Sequence, residues 1–344
     1  MKIVPEISVY HARSADCMID CWKITPRRTG EPVARRTLRN VSPHAVIDVG
    51  SNTIHLLVGE VEDGTVLPVT GEKISARLGS GVDETGRIEE ARISLAAEAI
   101  RLFALLADLN GASETTVLAT SAVRDAENGS ALVEEVYEKA GLEMRLISGE
   151  EEAMLGFRGA LSALGPGFPR EAPTLVVDLG GGSAQLSLGD VRGGPEKQVS
   201  LPLGSNRTTE RYVHHDPPKP EELEALHKAV LETLPEWNVA EGLAVVAIGG
   251  SARAILRLTK HRLTAKRLRK LAAEISTKPA AVLAREEGLS PERARVLPAA
   301  ITTLAAILEH FGSPFLGVAR GGIREGVILT MADEARKKIL PEGN

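Results

Sequence analysis

Aromatic residues make up only 3% of the 344-residue chain. That is too few for the platforms of stacked side chains on which single-stranded nucleic acids lie, so no nucleic-acid partner is expected. Cysteine is scarcer still: the chain has two, Cys17 and Cys21, both near the N-terminus. The pair excludes a disulfide framework and points to a reducing, cytoplasmic setting. With His11 the two could make half a zinc site, but no matching ligand pair follows, and an incidental pair is the plainer reading. No apolar run approaches the ~20 residues that span a bilayer, so no membrane partner is expected. A strong positive field is missing too, with 41 basic against 46 acidic residues and a net charge of −5. An anionic ligand would have to be held by local cations, backbone donors or a metal ion. What is present, 43% hydrophobic and 25% charged residues, is the composition of a soluble globular protein. The length leaves room for two domains.

The strongest positive signal is a repeat. The segment Ala45-Val-Ile-Asp48-Val-Gly50-Ser51-Asn52-Thr53 and its continuation to Gly59-Glu60 return 130 residues later. The second copy reads Leu175-Val-Val-Asp178-Leu-Gly180-Gly181-Gly182-Ser183 and runs to Gly189-Asp190. Each copy is an apolar strand ending in Asp, a turn of small residues and a second strand. Glycine lets a ligand approach the main chain, and the free N–H groups of such a turn can cradle phosphate. Two such turns in one register predict an α/β fold with duplicated halves facing each other across a phosphate-binding cleft.

The rest of the chain can be read around that repeat. Strands are expected at 53–60 and 65–74, joined by Asp63-Gly64, and a helix follows with Ile88, Leu95, Ala99, Leu102 and Leu106 on one stripe. A buried strand at 116–120 leads into Ser121-Ala-Val-Arg124-Asp125. A helix over 130–140 precedes a strand at 143–147, and Ser148 and Glu151 have capping-box spacing for the next helix. Residues 165–173 read as a linker. The second half then restarts with strands at 174–179, 183–190 and 196–203, a helix over 221–234 and a strand at 243–248. It is mostly helical thereafter, with a short apolar segment at 315–319 and a last helix over 323–338. The expected division is an N-terminal extension (1–43), a first domain (44–170), a second domain (171–322) and a C-terminal helix (323–344) packing back on the first. The extension carries Arg27, Arg28, Arg35, Arg36 and Arg39 without periodicity. It reads either as a basic disordered arm or as sequence upstream of a start near Val41.

Several residues are candidates for chemistry. Asp48 and Asp178, at equivalent strand ends, could hold Mg²⁺ directly or through water; either alone would pass for a turn residue. Gly180-Gly181-Gly182-Ser183 has neither the Lys of a P-loop nor the third Gly of a dinucleotide fingerprint, where Gln185 stands. Helix N-termini favour acidic side chains, which accounts for Glu150 and Glu151. Glu152 lies just beyond and could instead face the cleft and deprotonate a water. Arg124, between a strand and a helix, could take two phosphate oxygens, or be a surface arginine. The basic run Lys260 to Lys270 reads as a solvated face, and His214-His215 as a loop.

Taken together, Asp48-Val-Gly-Ser-Asn-Thr53, Thr120-Ser-Ala-Val-Arg124-Asp125, Ile147-Ser-Gly-Glu-Glu-Glu-Ala153, Asp178-Leu-Gly-Gly-Gly-Ser183 and Arg324-Glu-Gly-Val-Ile328 resemble the exopolyphosphatase / guanosine pentaphosphate phosphohydrolase family. That family belongs to the actin–sugar kinase–Hsp70 superfamily. The resemblance implies two ribonuclease-H-like (actin-like ATPase) domains with a Mg²⁺-dependent active site between them. It implies hydrolysis of the terminal phosphoanhydride of polyphosphate or guanosine pentaphosphate (pppGpp), and a homodimer. Matched residue by residue, it makes Glu152 the catalytic glutamate, with Asp178 beside it. Asp48, Asp178 and Glu152 become the metal ligands, and Gly50, Ser51, Asn52, Arg124, Gly180, Gly181, Gly182, Ser183 and Gly204 substrate-binding groups. The chain resembles the short form that lacks the C-terminal helical domain with its His-Asp motif. Two rival readings stay open: a kinase, which Gly249-Gly250-Ser251-Ala252-Arg253 would suit as an adenosine motif, and a sensor that binds polyphosphate or an alarmone without turnover.

Overall fold

The computed structural model describes residues 42–164, 168, 172–240, 242–259 and 261–339. The expectations for the N-terminal extension, including Cys17 and Cys21, and for most of the 165–173 linker lie outside the described residues.

Ten strands form two mixed five-stranded sheets. The first contains β1 (His44–Val49), β2 (Ile54–Glu62), β3 (Thr65–Ile74), β4 (Glu114–Ala119) and β5 (Met144–Leu146), in the order β3-β2-β1-β4-β5. The second contains β6 (Thr174–Leu179), β7 (Ala184–Asp190), β8 (Gly194–Leu201), β9 (Ala244–Ile248) and β10 (Leu316–Val318), in the order β10-β9-β6-β7-β8. Read from the other edge, the second order is the first. Each sheet opens with an antiparallel three-strand meander and adds two parallel strands. The 130-residue repeat of the sequence survives in the register: Asp48 pairs with His55 and Leu118, and Asp178 pairs with Gln185 and Ile248. Even the irregularities match, with register shifts at Val58/Gly59 and at Leu188/Gly189.

The reasons for these elements are local. β1 and β6 are central strands covered on both faces, so they read as nearly continuous apolar runs interrupted only by Asp48 and Asp178. Asp63 and Gly64 both take positive φ (50° and 73°), the conformation of a tight turn between twisted antiparallel strands. The connecting helices of the first half are α1 (Val82–Thr85), α2 (Glu90–Leu109), α3 (Ser121–Asp125), α4 (Gly129–Ala140) and α5 (Gly149–Ser162). In the second half they are α6 (Ser205–Tyr212), α7 (Pro220–Thr233), α8 (Gly250–Leu258), α9 (Ala265–Ile275), α10 (Ala280–Glu287) and α11 (Pro291–His310), and α12 (Ile323–Ile339) ends the described chain. Among the described residues, no helix is long and apolar enough to cross a membrane.

One expectation needs correction. The predicted apolar stripe is only partly the buried face of α2: Ala99 and Ile88, just before the helix, are buried and Leu106 packs on the core, but Leu95 and Leu102 are 49% and 46% exposed. The core is met by Ile93, Ala96, Ala97, Ile100, Phe103 and Ala107, with Ala99 alongside. The helix is apolar on two faces, and the alanine-rich one wins because short side chains let α2 lie close against β2 and α4.

The two sheets carry separate cores, one around β6, β7, β9 and α11 and one around β1, β2, β4 and α2. A third cluster joins Val46, Leu57 and Leu118 of the first sheet to Leu155 of α5 and to Ile323, Val327 and Ile328 of α12. Helices α5 and α12 therefore cross at very short range, and glycine makes this possible. A Cβ on Gly159 would run into the carbonyl oxygen of Gly322, and one on Gly326 into that of Leu155.

In an unconstrained helix Gly→Ala is stabilising by about 1 kcal/mol. Here the sign is expected to reverse, with Gly159→Ala costing about 1–3 kcal/mol through overpacking. Urea unfolding would show a lowered midpoint at unchanged slope; an equal or raised midpoint would contradict the crossing.

Candidate active site

The two repeated turns end β1 and β6 and are built alike. The Gly50 N–H donates to the Thr53 carbonyl at 3.2 Å, and the Gly180 N–H to the Ser183 carbonyl at 3.0 Å. They face each other across a cleft of about 140 Å³, lined by Asp48, Gly50, Ser51 and Asn52 from one half and Asp178, Gly180, Gly181 and Ser183 from the other. Glu152 closes the floor.

The second loop is held from behind. The N–H groups of Ser205, Asn206 and Arg207, at the start of α6, donate to the carbonyls of Gly180 and Gly181 at 2.9–3.2 Å. Gly204, the N-cap of α6, packs its backbone directly on Gly182 and Ser183, where a Cβ would not fit. Gly204 thus supports the loop and does not line the cleft. Gly182 rests on a pair of hydroxyls, Ser51 Oγ and Ser121 Oγ, which are hydrogen-bonded to each other at 3.0 Å. Gly249, at φ 98°, brings the start of α8 past Asp178, and a Cβ there would lie 3.3 Å from Asp178 Oδ1.

The halves are tied at the mouth by ion pairs. Arg207 reaches Asp83 at 2.8 Å and Asp125 at 3.0 Å, and Arg77 pairs with Glu292. The basic run from Arg262 onward takes no part. Arg267 and Lys270 pair with Glu274, Arg269 with Glu224 and Glu309, and Arg262 lies over the Phe315 ring. His215 pairs with Glu222 on the loop before α7.

The electrostatics are those of acids crowded away from water. Burial, reinforced by the charges of Asp178 and Asp48 and opposed by Arg124, raises the Glu152 carboxyl to about 8. Burial also raises Asp48 and Asp178 to about 6, with Asp48 adding to the shift at Asp178 and Arg324 opposing it at both. Glu152 is 8% exposed, and its Oε2 has no hydrogen-bond partner. The nearest cation is Arg124 Nη1 at 3.6 Å, which donates to the Ile147 carbonyl at 2.8 Å. Arg124 therefore stands beside Glu152 and is not among the residues lining the cleft.

No group of three or more His, Cys, Asp or Glu among the described residues is arranged to grip a metal ion directly. The donor set nonetheless suits a hard cation that keeps part of its water. Three carboxylates line one small cavity, Asp48 disfavouring ionisation of Asp178 and both aspartates that of Glu152, and a cation there would favour the ionised form of each.

Sequence reasoning missed His55 and Arg293. His55 lines the cleft and is depressed to about 3 by burial and by Arg324, Arg253, Lys73 and Arg293. Its signal was its place in the repeat, opposite Asp48. Arg293, on α11, donates to Ser251 Oγ at 2.8 Å across the bare backbone of Gly250. Nothing local in the sequence marks it.

The model of the Ppx/GppA phosphatase family matches residues 57–335. The chain belongs to this family. Within it, the chain is 33% identical over 305 residues to Exopolyphosphatase 1 of Mycobacterium tuberculosis, covering 84% of this chain and 88% of that protein. The crystal structure of the Aquifex aeolicus Ppx/GppA member matches at 27% identity with a TM-score of 0.70, covering 86% of this chain and 99% of that one. An exopolyphosphatase structure from Cytophaga hutchinsonii shares the fold, at 23% identity, a TM-score of 0.76 and coverage of 85% and 98%. The expected α/β architecture of two actin-like halves is therefore the family's own, and the chain is a phosphoanhydride hydrolase by membership.

In a Ppx/GppA cleft of this kind the raised Glu152 acidity has a consequence for stability. Between its ordinary value of 4.5 and about 8 the folded protein keeps a proton that the unfolded chain has released. Stability therefore falls as pH rises through that window. Glu152→Gln removes this contribution. In metal-free buffer the variant should match the wild type near pH 5 and exceed it near pH 8 by on the order of 2 kcal/mol. Parallel urea-unfolding profiles at the two pH values would contradict the assignment.

Proposed function

We propose that this chain is an exopolyphosphatase that removes the terminal phosphate of inorganic polyphosphate as orthophosphate, with Mg²⁺ as its ion. The observation that carries the reading is the convergence of two glycine turns with a buried glutamate, Glu152, which lines the same cleft and whose Oε2 accepts no hydrogen bond and has the Arg124 guanidinium 3.6 Å away. The similarity to Exopolyphosphatase 1 supports polyphosphate as the substrate.

The reaction is in-line attack of water on the terminal phosphorus. Glu152 Oε2 holds the attacking water and takes its proton. Arg124, 3.6 Å away, favours the ionised carboxylate that this role needs and opposes the burial that raises it. The backbone N–H groups of the Gly50–Ser51 and Gly180–Ser183 turns hold the phosphate oxygens, so catalysis rests on positioning and on fixed dipoles. Asp48 and Asp178, together with Glu152, would hold Mg²⁺ through its waters, and the ion would offset charge on the transferring group. Guanosine pentaphosphate presents the same terminal anhydride and is the second substrate inferred. The family resemblance alone supports a cytoplasmic homodimer.

Purified protein should release orthophosphate from long or short polyphosphate only with a divalent cation, and Glu152→Gln should lower kcat by roughly 10²–10⁴. Full activity in the variant would remove Glu152 from the role. Absence of release from polyphosphate and from guanosine pentaphosphate alike would overturn the hydrolase reading.

A further inference from the structure

Gln185 is a polar side chain almost fully enclosed beside the cleft, at 1% exposure, and the mechanism above makes no use of it. It sits on β7 directly opposite Asp178. Its Nε2 donates twice, to Ser183 Oγ at 2.7 Å and to Ser200 Oγ at 3.0 Å, while its Oε1 has no partner. This orientation leaves one acceptor unpaired. In the reverse orientation Oε1 would accept from both serine hydroxyls, so the direction of the two bonds follows from this placement of the amide.

The direction of these bonds matters. A serine hydroxyl that accepts from Gln185 keeps its own proton for another partner. Ser183 lines the cleft, and a phosphate oxygen can only accept. Gln185 thereby makes Ser183 a one-way donor toward phosphate and stops its proton from turning inward.

The second bond links that loop to the glutamate. Ser200 packs against Gly149, the first residue of α5, so closely that a Cβ on Gly149 would collide with the Ser200 side chain. Glu152 lies one turn further along the same helix. A second tie runs in parallel, from Ser187 Oγ on β7 to the Ala153 carbonyl at 3.0 Å. Gln185 is therefore a bracket: one hydrogen bond ends on the residue that meets phosphate, the other on the seat of the helix that carries Glu152. In the first half, His55 stands in the place of Gln185 and Thr53 in the place of Ser183, and the Thr53 hydroxyl accepts from Asn52 Nδ2 at 3.5 Å.

We propose that Gln185 is a positioning residue: it aims the Ser183 hydroxyl at the bound phosphate and sets the spacing between that phosphate and Glu152. The proposal rests on the exopolyphosphatase reading for its substrate but not for its geometry.

A double-mutant cycle tests it, using Gln185→Met, Ser183→Ala and the pair in the full chain. Two readouts are taken: kcat/KM for phosphate release from tripolyphosphate, and the Kd of pyrophosphate by calorimetry. Gln185→Met keeps the side-chain volume and removes the amide donors. It should weaken kcat/KM and pyrophosphate binding roughly tenfold, the loss of one hydrogen bond to a charged group. In the Ser183→Ala background it should add less than about twofold, because the two residues act as one unit. A full tenfold loss on top of Ser183→Ala, or no loss alone, would overturn the proposal. Gln185→Leu serves as the second donor-free variant should the methionine protein fail to fold. A wild type that binds pyrophosphate without hydrolysing polyphosphate would sink the activity and leave the binding cycle to decide on Gln185. A wild type that does neither would sink both.

Discussion

Asp48, Asp178 and Glu152 line one cavity in which burial raises all three carboxyls, Asp48 adds to the shift at Asp178, and both aspartates add to the shift at Glu152. An unpaired buried charge is among the costliest things a fold can contain. The molecule holds three such groups in place by anchoring each to a different rigid element: β1, β6 and the first turn of α5. Asp48 and Asp178 are carried by different sheets, and the α5–α12 crossing holds the helix that carries Glu152. Arg324, Arg253 and Arg124 offset part of the crowded negative charge, and a bound cation would offset more of it.

The duplicated architecture explains how the opposing turns come to match. Each sheet ends its central strand in Asp, turns through small residues and returns as an antiparallel partner, and the register repeats down to the glycine at each bulge. Facing two such units produces a cleft that is symmetric in backbone and asymmetric in side chains. The Thr53 hydroxyl accepts from Asn52, whereas its counterpart Ser183 accepts from Gln185. The glycines at 182, 204 and 249 allow the second loop to sit against its neighbours at distances no side chain would permit. Ion pairs from Arg207 to Asp83 and Asp125 then hold the mouth together.

Much of this could be read from the sequence because the signal was periodic. The 130-residue repeat located both turns, both central strands and the two aspartates, and the family match agrees with the fold it implied. Glu152 was distinguishable from Glu150 and Glu151 only by its position after capping-box spacing, of which the structure forms the Ser148 half, with Ser148 Oγ accepting from the Glu151 N–H while the Glu151 carboxylate pairs with Arg145. Where periodicity was ambiguous, the reading failed. The leucines of α2 looked like its core stripe, but close packing favoured the alanine face. Arg124 stands beside Glu152, and Gly204 packs behind the second turn. Arg293 comes from a helix far along the chain, and no local pattern could have placed it beside Gly250. Such contacts are decided by how elements pack, and one-dimensional spacing does not record that.

The central claim is that water, held at Glu152, attacks the terminal phosphorus itself. Hydrolysing polyphosphate in heavy-oxygen water and weighing the products tests it directly. The account predicts one heavy oxygen atom in each orthophosphate released and none in the shortened chain. Label in the shortened chain, or orthophosphate free of label, would contradict it.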